Sequence, residues 1–179
     1  MNLPNAITLV RIAFVPVFLW LIFAYDDATH ERWITVLVFV VLIVTDGIDG
    51  QIARSRNLIT NLGKLLDPIA DKFLLSGALI SLSLLGRIDW WITILILIRE
   101  LGITVYRLVV AKRRVLAAGA GGKLKTVLQS VAIGFYVSPL AQYWQPVEYI
   151  QLIILYAAFV STIASGLQYL NAERKERAK

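Results

Sequence analysis

"WITVLVFVVLIVTDGIDGQIA", residues 33–53, begins as an unbroken apolar run and ends in two aspartates and two glycines. A helix needs about 20 residues to cross about 30 Å of hydrocarbon, and this stretch has that length. Its apolar residues follow one another instead of alternating with polar ones, which argues against a barrel strand. Segments at roughly 5–24, 65–85, 90–110, 124–143 and 147–170 share this character. With 58% apolar residues and a mean hydropathy of +0.71, the chain reads as all-α: a polytopic membrane protein of six transmembrane helices. Residues 1–179 read as a single transmembrane domain.

The chain has no cysteine, so disulfides, thiolate metal sites and cysteine nucleophiles are excluded. A net charge of +6 does not imply nucleic acid here, because the basic residues fall between apolar spans, where they set topology and attract anionic headgroups. Arg11 interrupts the start of the N-terminal apolar run, which reads as a retained first helix rather than a cleaved signal.

Loops 54–64 (Arg54, Arg56, Lys64) and 111–123 (Lys112, Arg113, Arg114, Lys123) and the tail (Arg174, Lys175, Arg177, Lys179) fall on one side of such a bundle. The other side has Arg32 and Arg87. The positive-inside rule makes the first side cytoplasmic, together with both termini. Trp33, Trp90, Trp91, Tyr143 and Trp144 fall at span ends on the opposite side, as an interfacial aromatic belt would. The Gly-rich "AAGAGGK", 117–123, lacks Walker spacing and a preceding strand and reads as a connector. Small residues such as Gly77 and Ser81 suit close helix packing.

The acidic residues are the anomaly. Asp46 and Asp49 are three apart and Asp67 and Asp71 four apart, so each pair shares one face of its helix. Four lipid-facing aspartates would cost on the order of 10 kcal/mol without compensation. A structural explanation exists for Asp67, which precedes Pro68 like an N-cap before a proline at the first helical position. It does not cover all four, because like charges packed together need something of opposite sign between them. An ion-transport path is a second explanation, but the internal repeats and paired broken helices of transporters are not evident. A divalent-cation cluster is the third, and oxygen-only ligands favour magnesium, manganese or calcium. Gly47, Gly50 and Gly63 leave room for a bulky ligand on these segments, and Arg54 suits phosphate oxygens.

The pattern Asp46-x2-Asp49-Gly50-x2-Ala53-Arg54-x8-Gly63-x3-Asp67-x3-Asp71 resembles the full signature of the CDP-alcohol phosphotransferase family. The resemblance extends to the six helices. It implies a membrane enzyme that joins a CDP-linked molecule to an alcohol and releases CMP. It implies that Asp46, Asp49, Asp67 and Asp71 bind two divalent cations, Mg2+ or Mn2+, and that Asp71 also acts as general base. Gly50, Ala53, Arg54 and Gly63 would line the CDP pocket. A homodimer in the cell (inner) membrane follows from the same resemblance. A CDP-diacylglycerol donor would keep its tails in the bilayer and its pyrophosphate at headgroup level, where this motif lies.

"NLPNAITLVRI", "GKLLDPIADK", "IRELG" and "GGKLKTVLQ" are most similar to family members whose acceptor is glycerol 3-phosphate. The expectation is therefore conversion of CDP-diacylglycerol and glycerol 3-phosphate to phosphatidylglycerophosphate and CMP, with members making cardiolipin or phosphatidylinositol phosphate as the nearest alternatives. A phosphorylated acceptor needs further cations. Arg99 lies inside span four, Arg107 falls within about 80° of the same face, and Lys123 and Lys125 enter span five. These four are the expected acceptor phosphate clamp. Against it, Arg99 has Glu100 beside it, although adjacent residues on a helix do not face each other, and cytoplasmic lysines serve topology anyway. Asn5, Thr8 and Arg11, three apart, form a polar stripe that would either touch the nucleotide or donor headgroup or act as a seam between helices.

Overall fold

The computed structural model describes residues 3–55, 61–110 and 120–177, all but the connections in helices; the side chains of 3–5, 49–55, 61, 62, 64, 65, 107–110, 120–123 and 170–177 lie outside this description. Arg113 and Arg114, read as topology determinants, also lie outside it. Among the described residues there are seven helices and no strand: α1 (Leu3–Ala24), α2 (Arg32–Ser55), α3 (Asn61–Leu84), α4 (Trp90–Val110), α5 (Ala120–Val137), α6 (Leu140–Tyr143) and α7 (Pro146–Arg177).

Two of them, over Ala6–Ala24 and Pro146–Tyr169, are long and apolar enough to cross a membrane, and Leu124–Val137 is a shorter apolar helix. In α3 the charges Asp67, Asp71 and Lys72 break the apolar run. Large apolar side chains point outward as well as inward, with Leu37 64% and Ile153 68% exposed. The inward set joins α1, α2 and α3 at Val15, Phe18, Phe39, Leu42 and Leu74, and Phe18 stacks on Phe39 with centroids 5.2 Å apart. A Cβ on Gly77 would lie 2.9 Å from Leu19 Cδ1, so the small residue is what lets α3 approach α1. Gln129 Nε2 donates to Thr162 Oγ1 at 2.9 Å and fastens α5 to α7, its most extensive packing partner.

Two helix boundaries depart from the sequence expectation. The fifth span was expected to run from 124 to 143, but α5 ends at Val137. Pro139 has no N–H for a continuing helix, its ring crowds the carbonyl four residues back, and Ser138 Oγ instead caps Phe135 O at 2.8 Å. The second departure corrects the N-cap reading of Asp67. Helix α3 begins at Asn61, with Pro68 inside it, so Asp67 is an interior residue whose carboxylate needs another partner.

The described connections, α1–α2, α3–α4 and α5–α7 by way of α6, meet at one end. Helix α3 closes there on Gly86, whose φ of 69° is the left-handed conformation of a Schellman cap, with Arg87 N–H on Leu82 O at 2.9 Å and Gly86 N–H on Ser83 O at 3.1 Å. The cap aims Arg87 across the connections: its Nη2 donates to Asp26 O at 2.9 Å, its Nη1 to Tyr136 O at 3.2 Å, and it pairs with the Asp26 carboxylate. Burial lowers the Arg87 pKa from its usual value, with Asp26 and Asp27 acting the other way. Arg32, 6% exposed, donates from Nε to Val137 O at 3.1 Å and from Nη2 to Tyr136 O at 2.9 Å. A guanidinium thus satisfies the open carbonyls of α5 and complements its dipole. Arg32→Ala strands Val137 O and leaves Tyr136 O to Arg87 alone, and is expected to cost about 1–3 kcal/mol, read as a lowered unfolding temperature in detergent with kinetic constants of the surviving protein unchanged. Around this end stand exposed aromatics: Trp33 43%, Trp90 45%, Trp91 46%, Tyr143 55% and Trp144 61%.

Candidate active site

At the opposite end, α1 lies against both acidic helices. Thr8 and Arg11 are one turn apart on one face of α1 and only 1% and 2% exposed. Thr8 Oγ1 donates to Asp67 Oδ1 at 3.0 Å, and Arg11 Nη1 donates to Asp46 Oδ1 in a salt bridge. The Thr8–Arg11 part of the polar stripe is therefore a seam in which α1 holds one carboxylate of α2 and one of α3. Asp46 is near enough to Asp67 for their charges to interact, and Asp71 lies in the fields of Asp46 and Arg11. The structure thus brings together Asp46, Asp67 and Asp71, which come from two helices and are separated by up to 25 positions in the chain. A Cβ on Gly47 would meet nothing within 4 Å, so the backbone beside Asp46 faces open space.

Other expected site residues are placed by backbone only. Asn5 is on α1, Asp49, Gly50, Ala53 and Arg54 on α2, Arg107 on α4 and Lys123 on α5, with side chains outside the described set. Gly63 is buried on α3. Among the described residues, no three carboxylate or imidazole groups are gathered tightly enough to hold a metal. The Asp49 side chain lies outside the described residues. The donor chemistry that is present, carboxylates without imidazole or thiolate, suits a hard divalent cation.

A second cluster adjoins the first. Arg99 Nη1 donates to Glu100 Oε1 at 2.9 Å, and Lys125 Nζ donates to the same oxygen. This corrects the expectation that Glu100 is a poor partner for Arg99: neighbouring Cβ atoms diverge on a helix, but the long arginine and glutamate stems bend back to meet. Arg99 Nη2 also donates to Ser165 Oγ on α7 at 2.7 Å. Lys125 and Glu100 act on Asp71 electrostatically, so the two clusters share one field. Between them Lys72, one residue from Asp71, donates to Thr104 Oγ1, whose hydroxyl donates to Glu100 O at 2.6 Å. Ser165 and Thr104 were missed as participants, and Glu100 was discounted as a partner of Arg99. Glu100 had a signal, a carboxylate beside an arginine inside "ILILIRELGI"; Ser165 had none.

The comparison with protein families bears on this pair of clusters: a model described as CDP-alcohol phosphatidyltransferase matches residues 1–164. The chain belongs to the CDP-alcohol phosphatidyltransferase family. Within that family it is similar to a probable phosphatidylglycerophosphate synthase of Mycobacterium tuberculosis, 44% identical over 94% of this chain and 80% of the relative. It is 38% identical to a CDP-diacylglycerol–glycerol-3-phosphate 3-phosphatidyltransferase of Bacillus subtilis, over 95% of this chain and 94% of that one. The protein of that name from Escherichia coli is 35% identical over 98% and 96%. As a CDP-alcohol phosphatidyltransferase, the chain presents its acidic helices at the end where α1 begins, with a cationic pair alongside.

Proposed function

We propose that this protein is an integral membrane phosphatidyltransferase that converts CDP-diacylglycerol and glycerol 3-phosphate to phosphatidylglycerophosphate and CMP. The observation that carries the proposal is the adjacency of the two clusters: Lys72, next to Asp71, joins Glu100 through Thr104, and both Asp46 and the Lys125–Glu100 pair act on Asp71 electrostatically. A base within reach of both a carboxylate set and a phosphate-binding pair is what transfer to a phosphorylated alcohol needs. The names of the relatives support the same donor and acceptor.

Asp46, Asp49, Asp67 and Asp71 would hold two divalent cations, Mg2+ or Mn2+. When bound, these neutralise the donor's pyrophosphate and stabilise the attacking and leaving oxygens of an in-line displacement. Asp71 takes the proton of the acceptor hydroxyl as the new O–P bond forms at the β-phosphorus and the bond to CMP breaks. Gly50, Ala53, Arg54 and Gly63 line the CDP side, with Asn5 and Thr8 at its edge. Arg99 and Lys125, with Arg107 and Lys123, bind the acceptor's phosphate. In this proposal one domain of six helices crosses the cell membrane with both termini and the acidic end in the cytoplasm. The outward apolar side chains and the basic residues at that end support this orientation. The protein acts as a homodimer.

The test is CMP release by purified protein with CDP-diacylglycerol and magnesium, comparing glycerol 3-phosphate, inositol 1-phosphate, serine and phosphatidylglycerol. Release is expected with glycerol 3-phosphate alone and is abolished by a chelator. Release driven by another acceptor overturns the acceptor assignment, and no release with any of them overturns the enzyme reading. Arg99→Ala is expected to raise the KM for glycerol 3-phosphate about tenfold or more, the size of a lost charge-assisted hydrogen bond, with little effect on the donor's KM. Equal effects on both substrates count against a phosphate clamp.

A further inference from the structure

Glu100 has no part in the reaction as proposed, yet one of its oxygens is the meeting point of both cations assigned to the acceptor. Oε1 accepts from Arg99 Nη1 and from Lys125 Nζ, and the three side chains are only 13%, 14% and 10% exposed in the order Arg99, Glu100, Lys125. Resting on the acceptor-site reading above, we propose that Glu100 is a positioning residue whose carboxylate assembles Arg99 and Lys125 into a ready phosphate-binding pair.

The arrangement has more cation than a structural ion pair requires. Two positive groups share one carboxylate, and Lys72 adds its charge to the field at Lys125. Like charges this close separate unless an anion holds them, so Glu100 removes a cost the incoming phosphate would otherwise bear. Donor capacity remains after Glu100 is served. An ammonium has three N–H groups, and Lys125 gives one of them to Glu100. Among the described residues, the buried Arg99 Nε has no hydrogen-bond partner.

The guanidinium is fixed on its other side too. Ser165 Oγ receives Arg99 Nη2 at 2.7 Å and donates to Thr162 O at 3.0 Å. A Cβ on Gly166 would stand 3.3 Å from both Cγ and Nε of Arg99, so the glycine leaves the arginine stem its place against α7. Two helices, α4 and α7, thus define one position for Arg99, and Glu100 brings Lys125 of α5 to it. The surplus of positive charge and the fixed geometry fit an oxyanion carrying two negative charges, the phosphate of a small phosphorylated alcohol.

The decisive variant is Glu100→Gln, which keeps the shape and removes the charge. It is expected to raise the KM for glycerol 3-phosphate about ten- to a hundredfold, with kcat and the KM for CDP-diacylglycerol within about twofold. Competitive inhibition by inorganic phosphate weakens in parallel. Gly166→Ala, which crowds Arg99 without touching any charge, is expected to act in the same direction and carries the test if Glu100→Gln does not fold. An acceptor KM that is unchanged or lower in folded Glu100→Gln overturns the proposal, since Glu100 would then be idle or a competitor of the phosphate. A uniform loss of kcat and both affinities with a lowered unfolding temperature overturns it too, in favour of a purely structural bridge. Arg99→Ala and Lys125→Ala separate the two levels. If they raise the acceptor KM and Glu100→Gln does not, positioning fails and the clamp stands; if none of the three does, the clamp reading itself has failed.

Discussion

Asp71→Asn is expected to lower turnover about 10²- to 10⁴-fold, the range for loss of a general base, while the protein still folds and binds CDP-diacylglycerol. The substitution keeps the shape of the side chain and removes its ability to take a proton. Asp71 sits one turn from Asp67 on α3, half-buried, in the combined field of Asp46, Arg11, Lys125 and Glu100. CMP release at saturating substrates measures the loss, and donor affinity from the KM shows where it arises. Near-normal product formation removes Asp71 from the role of base. A loss confined to donor affinity instead makes it a ligand-holding group only.

Arg11→Ala is expected to destabilise the protein by about 2–3 kcal/mol in a chelator and by much less in millimolar magnesium. Breaking a fully buried pair costs about 3–5 kcal/mol, and here solvent relieves part of it, since Arg11 is 1% exposed but the Asp46 side chain 40%. Arg11 is the cation that compensates Asp46 in the structure. If Asp46 is a ligand of a divalent ion, that ion replaces the lost charge, and the deficit shrinks by linkage. Unfolding temperatures in detergent, with chelator and with magnesium, read the difference directly. Equal deficits in both conditions remove Asp46 from the set of metal ligands.

Much of this site is legible in the amino-acid sequence, because each pair of aspartates falls at helical spacing and the Thr8–Arg11 stripe does the same. Spacing names a face, however, not what the face meets. Thr8 and Arg11 are equally suited by spacing to a nucleotide or to a neighbouring helix, and only the packing of α1 against α2 and α3 shows that they hold Asp67 and Asp46. Pro68 misleads because proline is at home in a first helical turn; its place seven residues inside α3 reflects a helix that begins at Asn61. Glu100 is undervalued for a geometric reason. The rule that adjacent helical residues diverge describes Cβ directions, and arginine and glutamate stems are long enough to escape it.

The ring of exposed aromatics at the connected end acts as a depth gauge for everything else. If Trp33 and Trp90 mark one edge of the hydrocarbon, helical rise puts Asp46 about 20 Å beyond the first and Arg99 about 14 Å beyond the second. In a core of about 30 Å the carboxylates then stand near the far headgroups, and Arg99 close to the midplane. On that gauge Arg99 would lie about 6 Å deeper than the carboxylates, with Lys125 reaching it from near their level. Under the proposed reaction, a water-soluble acceptor would then descend past the lipid donor's pyrophosphate to reach Arg99, which would leave its hydroxyl facing back up toward the bond to be broken. Depth alone would then favour a short acceptor with its charge at one end and its nucleophile at the other.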